Sequence, residues 1–328
     1  MRMIHSTGAA GAILLALLLG LTAVEPAQAQ IARTFVSAAT GNDANDCGRN
    51  TPCRTFQRAH DNTLPLGEIT VLDPGGYGAV SITKAMSIIN DGVGEAGVLV
   101  SGGATAITIN AAATDAVSLR GLTIKGIGFG GGTGIVFSTG GSLTIENCAI
   151  RTLDGVGQGI TVKQNATSRL TVLNTIVADN SSHGIVIQPG GSSGAAITVN
   201  LSNVQLINNG QAGFLINAGL FTSTTTVDAV VTDSLASKNG AGGFVVSTGT
   251  PKASLMLIRS VAAHNSSAFG GISISGAGGI VRVGQSSLTG NQVSWRAVVS
   301  GVLRSYGDNN INGNADGDPA IPTVIPTK

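Results

Sequence analysis

The feature that most constrains this chain is a tetrapeptide, Gly or Ala followed by apolar-x-apolar, that keeps returning along its length. It stands at Ala79–Ile82, Ala106–Ile109, Gly134–Phe137, Gly159–Val162, Gly184–Ile187, Gly213–Ile216, Gly243–Val246 and Gly271–Ile274, with successive starts 25–30 residues apart. A second series interleaves with it: Val117/Leu119, Leu143/Ile145, Leu170/Val172, Val199/Leu201, Ala229/Val231, Leu255/Leu257 and Val281/Val283. Members of each pair lie two residues apart, the period that puts both side chains on one face of a strand. Helical periodicity is absent and β-branched residues fill the strand positions. Propeller blades need four strands in ~40–45 residues, so these units are too short for them. A coil of short strands joined by turns, each coil stacked in parallel on the last at a spacing of ~4.8 Å, fits the length.

Composition agrees. Aromatic residues make up 3% of the chain and charged residues 11%, yet apolar residues reach 42%. A chain so low in charge and so apolar is not disordered, and its core must be built from small aliphatics. The 48 glycines lack the every-third-residue period of collagen. A net charge of +1 offers nothing to attract nucleic acid or an anionic membrane.

Two columns of short polar residues line up between the strand series. Asn147, Asn174, Asn203 and Asp233 occupy one bend, and Asn180, Asn209, Asn239, Asn265 and Asn291 occupy the next. Asn tolerates left-handed backbone angles and bonds its own turn. At equal height in a stack, such amides also bond from rung to rung, as side-chain ladders do in cross-β structures.

With the Asn-x-x-x-Gly-Ile-x-Ile rung at Asn180–Ile187 and its neighbours in view, the chain resembles the right-handed parallel β-helix repeat proteins, the pectin-lyase-like superfamily, over roughly residues 34–312. The opening segment Thr34–Ile82, with TGNDANDC, TPCRTFQRA and GEITVLDPGGYGAV, is similar to that superfamily's entry module. The expected fold class is all-β: a right-handed, single-stranded parallel β-helix, or solenoid, with an N-terminal capping helix.

Both ends of such a stack expose sheet edges and need caps. At the start, Thr51 suits an N-cap and Pro52 a first helical position, with Cys53, Phe56 and Ala59 or His60 as the apolar stripe of a helix ending near Asn62. At the far end the tail from Pro319 carries prolines at 319, 322 and 326 and cannot join a sheet interior. Residues 1–29 read as a signal peptide: Arg2 and His5, the apolar run Ala12–Leu21, and Ala27-Gln28-Ala29 as the small-x-small site. The run falls short of the ~20 residues that a membrane span takes. The division expected is therefore 1–29 signal peptide, 30–65 strand and helical cap, 66–312 coils and 313–328 tail, with a secreted or periplasmic product and no membrane insertion. Cys47 and Cys53 bracket a short polar loop, and an oxidising compartment favours a disulfide between them. Cys148 aligns with Leu122, Thr175 and Val204 and is expected to be a buried thiol filling space.

Enzymes on the resembled fold act on acidic polysaccharides, which raises a lyase or glycoside hydrolase as an alternative. A hydrolase needs carboxylates paired across the scissile bond; a lyase needs a base and cations, often calcium held by several Asp. The polygalacturonase relatives carry Asn-Thr-Asp, Asp-Asp, Gly-His-Gly and Arg-Ile-Lys. Here Ser182-His183-Gly184 is the nearest approach to any of them. The remaining candidates are Arg151 and Asp154 on one rung with Asp179 and His183 on the next, expected to gather near one bend. Lys238 and His264 stack on later rungs, and Arg120 with Glu146 is expected to form a cross-rung ion pair. Gly128–Gly134 has neither the Lys nor the helix that a phosphate loop needs. The sequence thus points to a non-catalytic scaffold with a surface, adhesion or glycan-contact role, no cofactor and no metal, and a polysaccharide or cell-surface glycan as partner.

Overall fold

The computed structural model describes residues 31–328 apart from 129–131, 191–193, 219–223, 250–251, 267, 322–323 and 327–328; the segment 1–29, read from the sequence as a signal peptide, lies outside the described residues. The chain winds into a right-handed parallel β-solenoid with three faces, an eleven-stranded, a ten-stranded and a nine-stranded sheet. One coil shows the plan. Ser168–Leu173 runs in the eleven-stranded sheet, Ile176–Ala178 in the ten-stranded and Ile185–Ile187 in the nine-stranded, and Ala196–Ser202 then returns to the first. Every strand pairs in parallel with its counterpart one coil away: Leu170 lies beside Val199, Val177 beside Leu206, and Ile185 beside Phe214.

The period-two pairs point inward, as the sequence requires. Like residues stack in files, such as Ile185, Phe214, Phe244 and Ile272, all fully buried. Because each file repeats at the strand spacing, side chains of similar bulk succeed one another, Ile and Phe in this file.

The second bend carries the amide ladder. Nδ2 of Asn180 donates to Oδ1 of Asn209 at 3.0 Å, and the pattern continues through Asn239, Asn265 and Asn291 at 3.0, 3.1 and 2.9 Å. It ends one rung further than the sequence columns reach, at Asn314, which accepts from Asn291 at 2.9 Å. Each amide oxygen also takes the backbone N–H of the preceding asparagine, for example Asn209 N to Asn239 Oδ1 at 3.1 Å. The glycine of the repeat follows from this ladder. A Cβ on Gly213 would stand 2.9 Å from Asn239 Nδ2, and one on Gly243 would stand 3.0 Å from Asn265 Nδ2. Only a residue without a side chain lets the amide file pass.

The first bend is built differently. Asn147, Asn174, Asn203 and Asp233 all take left-handed angles, φ 48–54°, and their side chains face solvent. Asn203 Nδ2 reaches Asn174 Oδ1 at 2.9 Å, whereas Asp233 pairs with Arg259 at 2.8 Å. The buried relay at this bend is made by the next residue along. Val204 N donates to Ser234 Oγ, Ser234 N to Ser260 Oγ and Ser260 N to Ser286 Oγ at 3.0–3.2 Å.

At the N-terminal end one helix, α1 (Phe56–Asn62), closes the stack. Its N-cap is Thr55, whose side chain accepts from Arg58 N at 3.2 Å, rather than Thr51. Thr51 instead bonds Asp46, and Cys53 makes a β-bridge with Val36, so the chain is still extended there. Val80–Ile82 is the edge of the nine-stranded sheet, and α1 supplies its missing partners. Gln57 Oε1 takes the Ser81 N–H at 2.8 Å and His60 Nε2 takes the Thr83 N–H at 3.2 Å. Burial holds the His60 imidazole below its usual pKa range, which keeps that nitrogen an acceptor. The Cys47–Cys53 disulfide lies buried behind the helix. At the other end the tail crosses the last coil. Pro319 O accepts from Trp295 Nε1 at 2.7 Å, Ile321 is buried, and Val324 bridges Ser305.

Candidate functional site

The outer face of the nine-stranded sheet departs from the polar exterior that a solenoid usually shows. Its outward file runs Thr161, Val186, Leu215 and Val245, and the last three join Ala212 in a second apolar cluster separate from the core. The neighbouring outward file is polar, with Asn217 beside Ser247. Together they floor and flank a groove of about 260 Å³ lined by His183, Gln211, Leu215, Asn217, Val245, Ser247 and Phe269, among others. The Phe269 ring is exposed at one end, with the Arg296 guanidinium 5.7 Å from its centroid.

His183 sits on the rim. Its Nδ1 accepts the Ala212 N–H at 3.2 Å, and burial pushes its pKa below the ordinary imidazole value. A neutral ring with Nδ1 occupied as an acceptor carries its proton on Nε2. Nε2 is therefore a hydrogen-bond donor, and no bare nitrogen remains to take a proton from a substrate.

The other three sequence candidates do not line the groove, although the register sets Arg151 beside Ala178, next to Asp179. Arg151 ends the strand Ala149–Arg151 in the ten-stranded sheet, stacked on Lys125, and both side chains are exposed. Asp154 follows in the turn, where its carbonyl accepts from Gly132 and Gly157. Asp179 takes a left-handed angle (φ 57°) immediately after Ile176–Ala178, and its carboxylate accepts from Asn208 Nδ2 at 2.8 Å. Lys238 and His264 continue that same left-handed file on later rungs. No hydrogen bond or ion pair links Arg151, Asp179 and His183 to one another among the described residues, and His183 alone of the four lines the groove. Nor do three or more His, Cys, Asp and Glu side chains group among the described residues in a way that could hold a metal ion.

Arg120 differs in role from the sequence reading, whereas Cys148 is the buried free thiol expected. Arg120 lies in register with Glu146, but its guanidinium turns back to Asp91 at 3.4 Å. That pair flanks an open cleft of about 610 Å³ with Asn90, Gly121 and Asn147. Cys148 is buried, with its thiol pushed up to about 11 by desolvation; a thiol so held is protonated and inert at neutral pH. The groove went unseen in the sequence because Leu215 and Val245 belong to strands of unbroken apolar residues. The middle residue of each triplet, which points outward, is the one signal that could have revealed it.

Comparison with known proteins gives the fold a family. The right handed beta helix region profile matches residues 66–227 and 105–293. Among solved structures, pectate lyase Pel9A is similar over 89% of this chain and 82% of its own, with a TM-score of 0.55 and 17% identity. A lacto-N-biosidase from Eubacterium ramulus is similar over 86% and 68%, with a TM-score of 0.48 and 11% identity. None of the curated proteins matches. Identities this low carry the fold and not the activity. With its profile match spanning most of the coils and its strands stacked in parallel throughout, the chain belongs to the right-handed β-helix family.

Proposed function

We propose that the chain is a secreted, non-catalytic β-helix that contacts glycans along the outer face of its nine-stranded sheet. The observation that carries this reading is the pairing of an apolar file with a polar one in that groove. Sugars present C–H faces edged by hydroxyls, and such a ligand is met by Leu215 and Val245 below with Gln211, Asn217, Ser247 and the His183 Nε2–H beside them. The groove follows the solenoid axis, so a linear oligosaccharide can lie across several rungs. Secretion is supported by the buried Cys47–Cys53 disulfide, which persists in oxidising compartments. That a pectate lyase is among the similar structures agrees with a glycan as ligand.

The second reading is a polysaccharide lyase or glycoside hydrolase using Arg151, Asp154, Asp179 and His183. One observation favours it: His183 lines the groove. Its filled Nδ1 and protonated Nε2 disfavour a base there.

A panel of neutral and acidic polysaccharides, presented to the purified protein, tests the first reading. Binding that Asn217→Ala and Val245→Arg each weaken ten-fold or more, and that Asn208→Ala leaves unchanged, is the expected result. Binding to none of them rejects it. Release of unsaturated uronate ends or new reducing ends, lost in His183→Ala, would favour the enzyme instead.

A further inference from the structure

On the outer face of the eleven-stranded sheet, near its C-terminal end, two arginines stack on adjacent strands. Arg282 of Gly279–Gly284 lies in direct register with Arg304 of Val302–Ser305. Parallel neighbours stand ~4.8 Å apart, and like charges placed directly opposite each other repel. Elsewhere the chain avoids this cost in one of two ways. Arg33, Arg120 and Arg259 are matched with Glu68, Asp91 and Asp233. Lys125 and Arg151, also stacked, are both exposed, so that water screens them.

Neither device serves Arg282 and Arg304. Both are half-buried, and no carboxylate pairs with either among the described residues. Arg282 reaches the Ser254 hydroxyl through Nη1 at 3.4 Å, a long contact with a neutral group. Arg304 Nε is buried with no hydrogen-bond partner among the described residues, and an orphaned donor on a charged group is costly. Tyr306 follows on the same outward face, its ring lying over Gly284, where an added Cβ would stand 2.9 Å from Cδ2 and 3.4 Å from Asp308 Oδ1, an oxygen already engaged by the Gln285 N–H. Met256 lies in register with Arg282 one rung back.

We infer that Arg282 and Arg304 form a site for an oxyanion carried on a saccharide, a carboxylate or a sulfate group. Guanidinium forks match the planar or tetrahedral oxygens of such groups and bind them through paired N–H donors. One anion between the two guanidinium groups cancels their repulsion. The Tyr306 ring offers a face for the sugar itself. This site is on a different sheet from the His183 groove and stands independently of it.

Calorimetric titration of the full chain with sodium sulfate and with sodium galacturonate, at constant ionic strength held by chloride, tests the inference. Saturable binding at one site per chain is expected, weakened about ten-fold by Arg304→Lys, which keeps the charge and loses the fork, and abolished in the Arg282→Gln/Arg304→Gln double variant. Saturation by galacturonate alone identifies a carboxylate ligand and by sulfate alone a sulfated one; either supports the site. Asn217→Ala must leave both titrations unchanged, which separates this site from the groove. In chloride alone the double variant should melt at the same temperature as the wild type or higher. A lower melting temperature, a wild type that shows no saturable binding, or a double variant that binds like the wild type overturns the inference.

Discussion

Replacing Asn239 with alanine interrupts the amide ladder at its centre, and the hydrogen bonds set the cost. Asn239 is fully buried. Its Nδ2 donates to Leu206 O at 2.9 Å and Asn265 Oδ1 at 3.1 Å, and its Oδ1 accepts from Asn209 N at 3.1 Å and Nδ2 at 3.0 Å. The substitution removes four bonds but does not orphan every partner. Asn209 Nδ2 keeps Val177 O, and Asn265 Oδ1 keeps the Asn239 N–H. Asn209 N loses its acceptor outright, at about 1–3 kcal/mol for a buried donor, and the remaining losses add about 1 kcal/mol each. The expected destabilisation is about 4–6 kcal/mol, measured by urea unfolding. Asn203→Ala, at the solvent-facing bend with one rung-to-rung bond and a left-handed angle that alanine resists, should cost only about 1–2 kcal/mol. In a stack whose coils touch only their neighbours, a cut in the middle should also split the unfolding transition, the two halves melting apart. Equal costs at Asn239 and Asn203, or a loss at Asn239 below about 1 kcal/mol, would refute the claim that the buried file carries the stability.

The remaining predictions concern single sites. Gln164 is buried with neither amide atom partnered among the described residues, so Gln164→Leu should stabilise the fold by about 1–3 kcal/mol in the same unfolding assay. Val299 and Ser300 hold consecutive left-handed angles, φ 53° and 63°, which β-branched residues resist; Val299→Gly should raise the melting temperature, by about 1 kcal/mol of stability. The Cys148 thiol titrates near 11 when folded against 9.0 unfolded, so the unfolded state binds fewer protons in that window. Stability should therefore fall by roughly 2–3 kcal/mol between those two pH values, and alkylation of the native thiol at neutral pH should be far slower than after unfolding. Asp318 is held below its usual carboxylate range by N–H donors from Asn314 and Gly313. Its contribution is complete above the unfolded value of 3.8 and lost as pH falls through the lower folded one; the acid limb of the melting curve should flatten in Asp318→Asn.

What could be read in advance was whatever repeats. The inward pairs, the two bends and the parallel stack were legible because a period-two pattern recurring on every coil permits few alternatives. The ladder file was legible for the same reason, Asn180 through Asn291 appearing at one place in each unit. Features set by a single unrepeated contact were not. Thr55 rather than Thr51 caps α1 because an extended bridge from Cys53 to Val36 delays the helix, and no periodicity marks that bridge. Arg120 leaves Glu146 for Asp91 because the acid in the turn one rung back lies within reach, a choice between neighbours that register alone does not decide. The hydroxyl relay through Ser234, Ser260 and Ser286 escaped notice because Val204 occupies the same file and reads as core. The groove escaped because an outward valine between two inward isoleucines looks like a buried strand.

The ladder also explains why this solenoid ends as it does. Every amide in it points the same way, Nδ2 toward the C-terminus, so each rung hands two donors, a backbone N–H and an amide N–H, to the next. Inside the stack the following asparagine accepts both. At the last rung no asparagine follows, and the backbone N–H and one amide N–H of Asn314 have no amide to receive them. A neutral hydroxyl could accept, but aligned amide dipoles place their positive end there, as the N–H ends of a helix do, and a negative charge answers it better. Asp318 supplies that charge: one carboxylate oxygen accepts from Asn314 N and Nδ2 at 2.8 Å each, while the other takes Gly313 N at 2.9 Å. Asp316 takes the Ser294 N–H and hydroxyl, and Asp308 takes the Gln285 N–H, so the acids gathered in the final coil stand where a further rung would have put its acceptors. A chain with one more asparagine rung would need its aspartate one coil later, which is why the cap reads as irregular sequence although the geometry it completes is the most regular in the molecule.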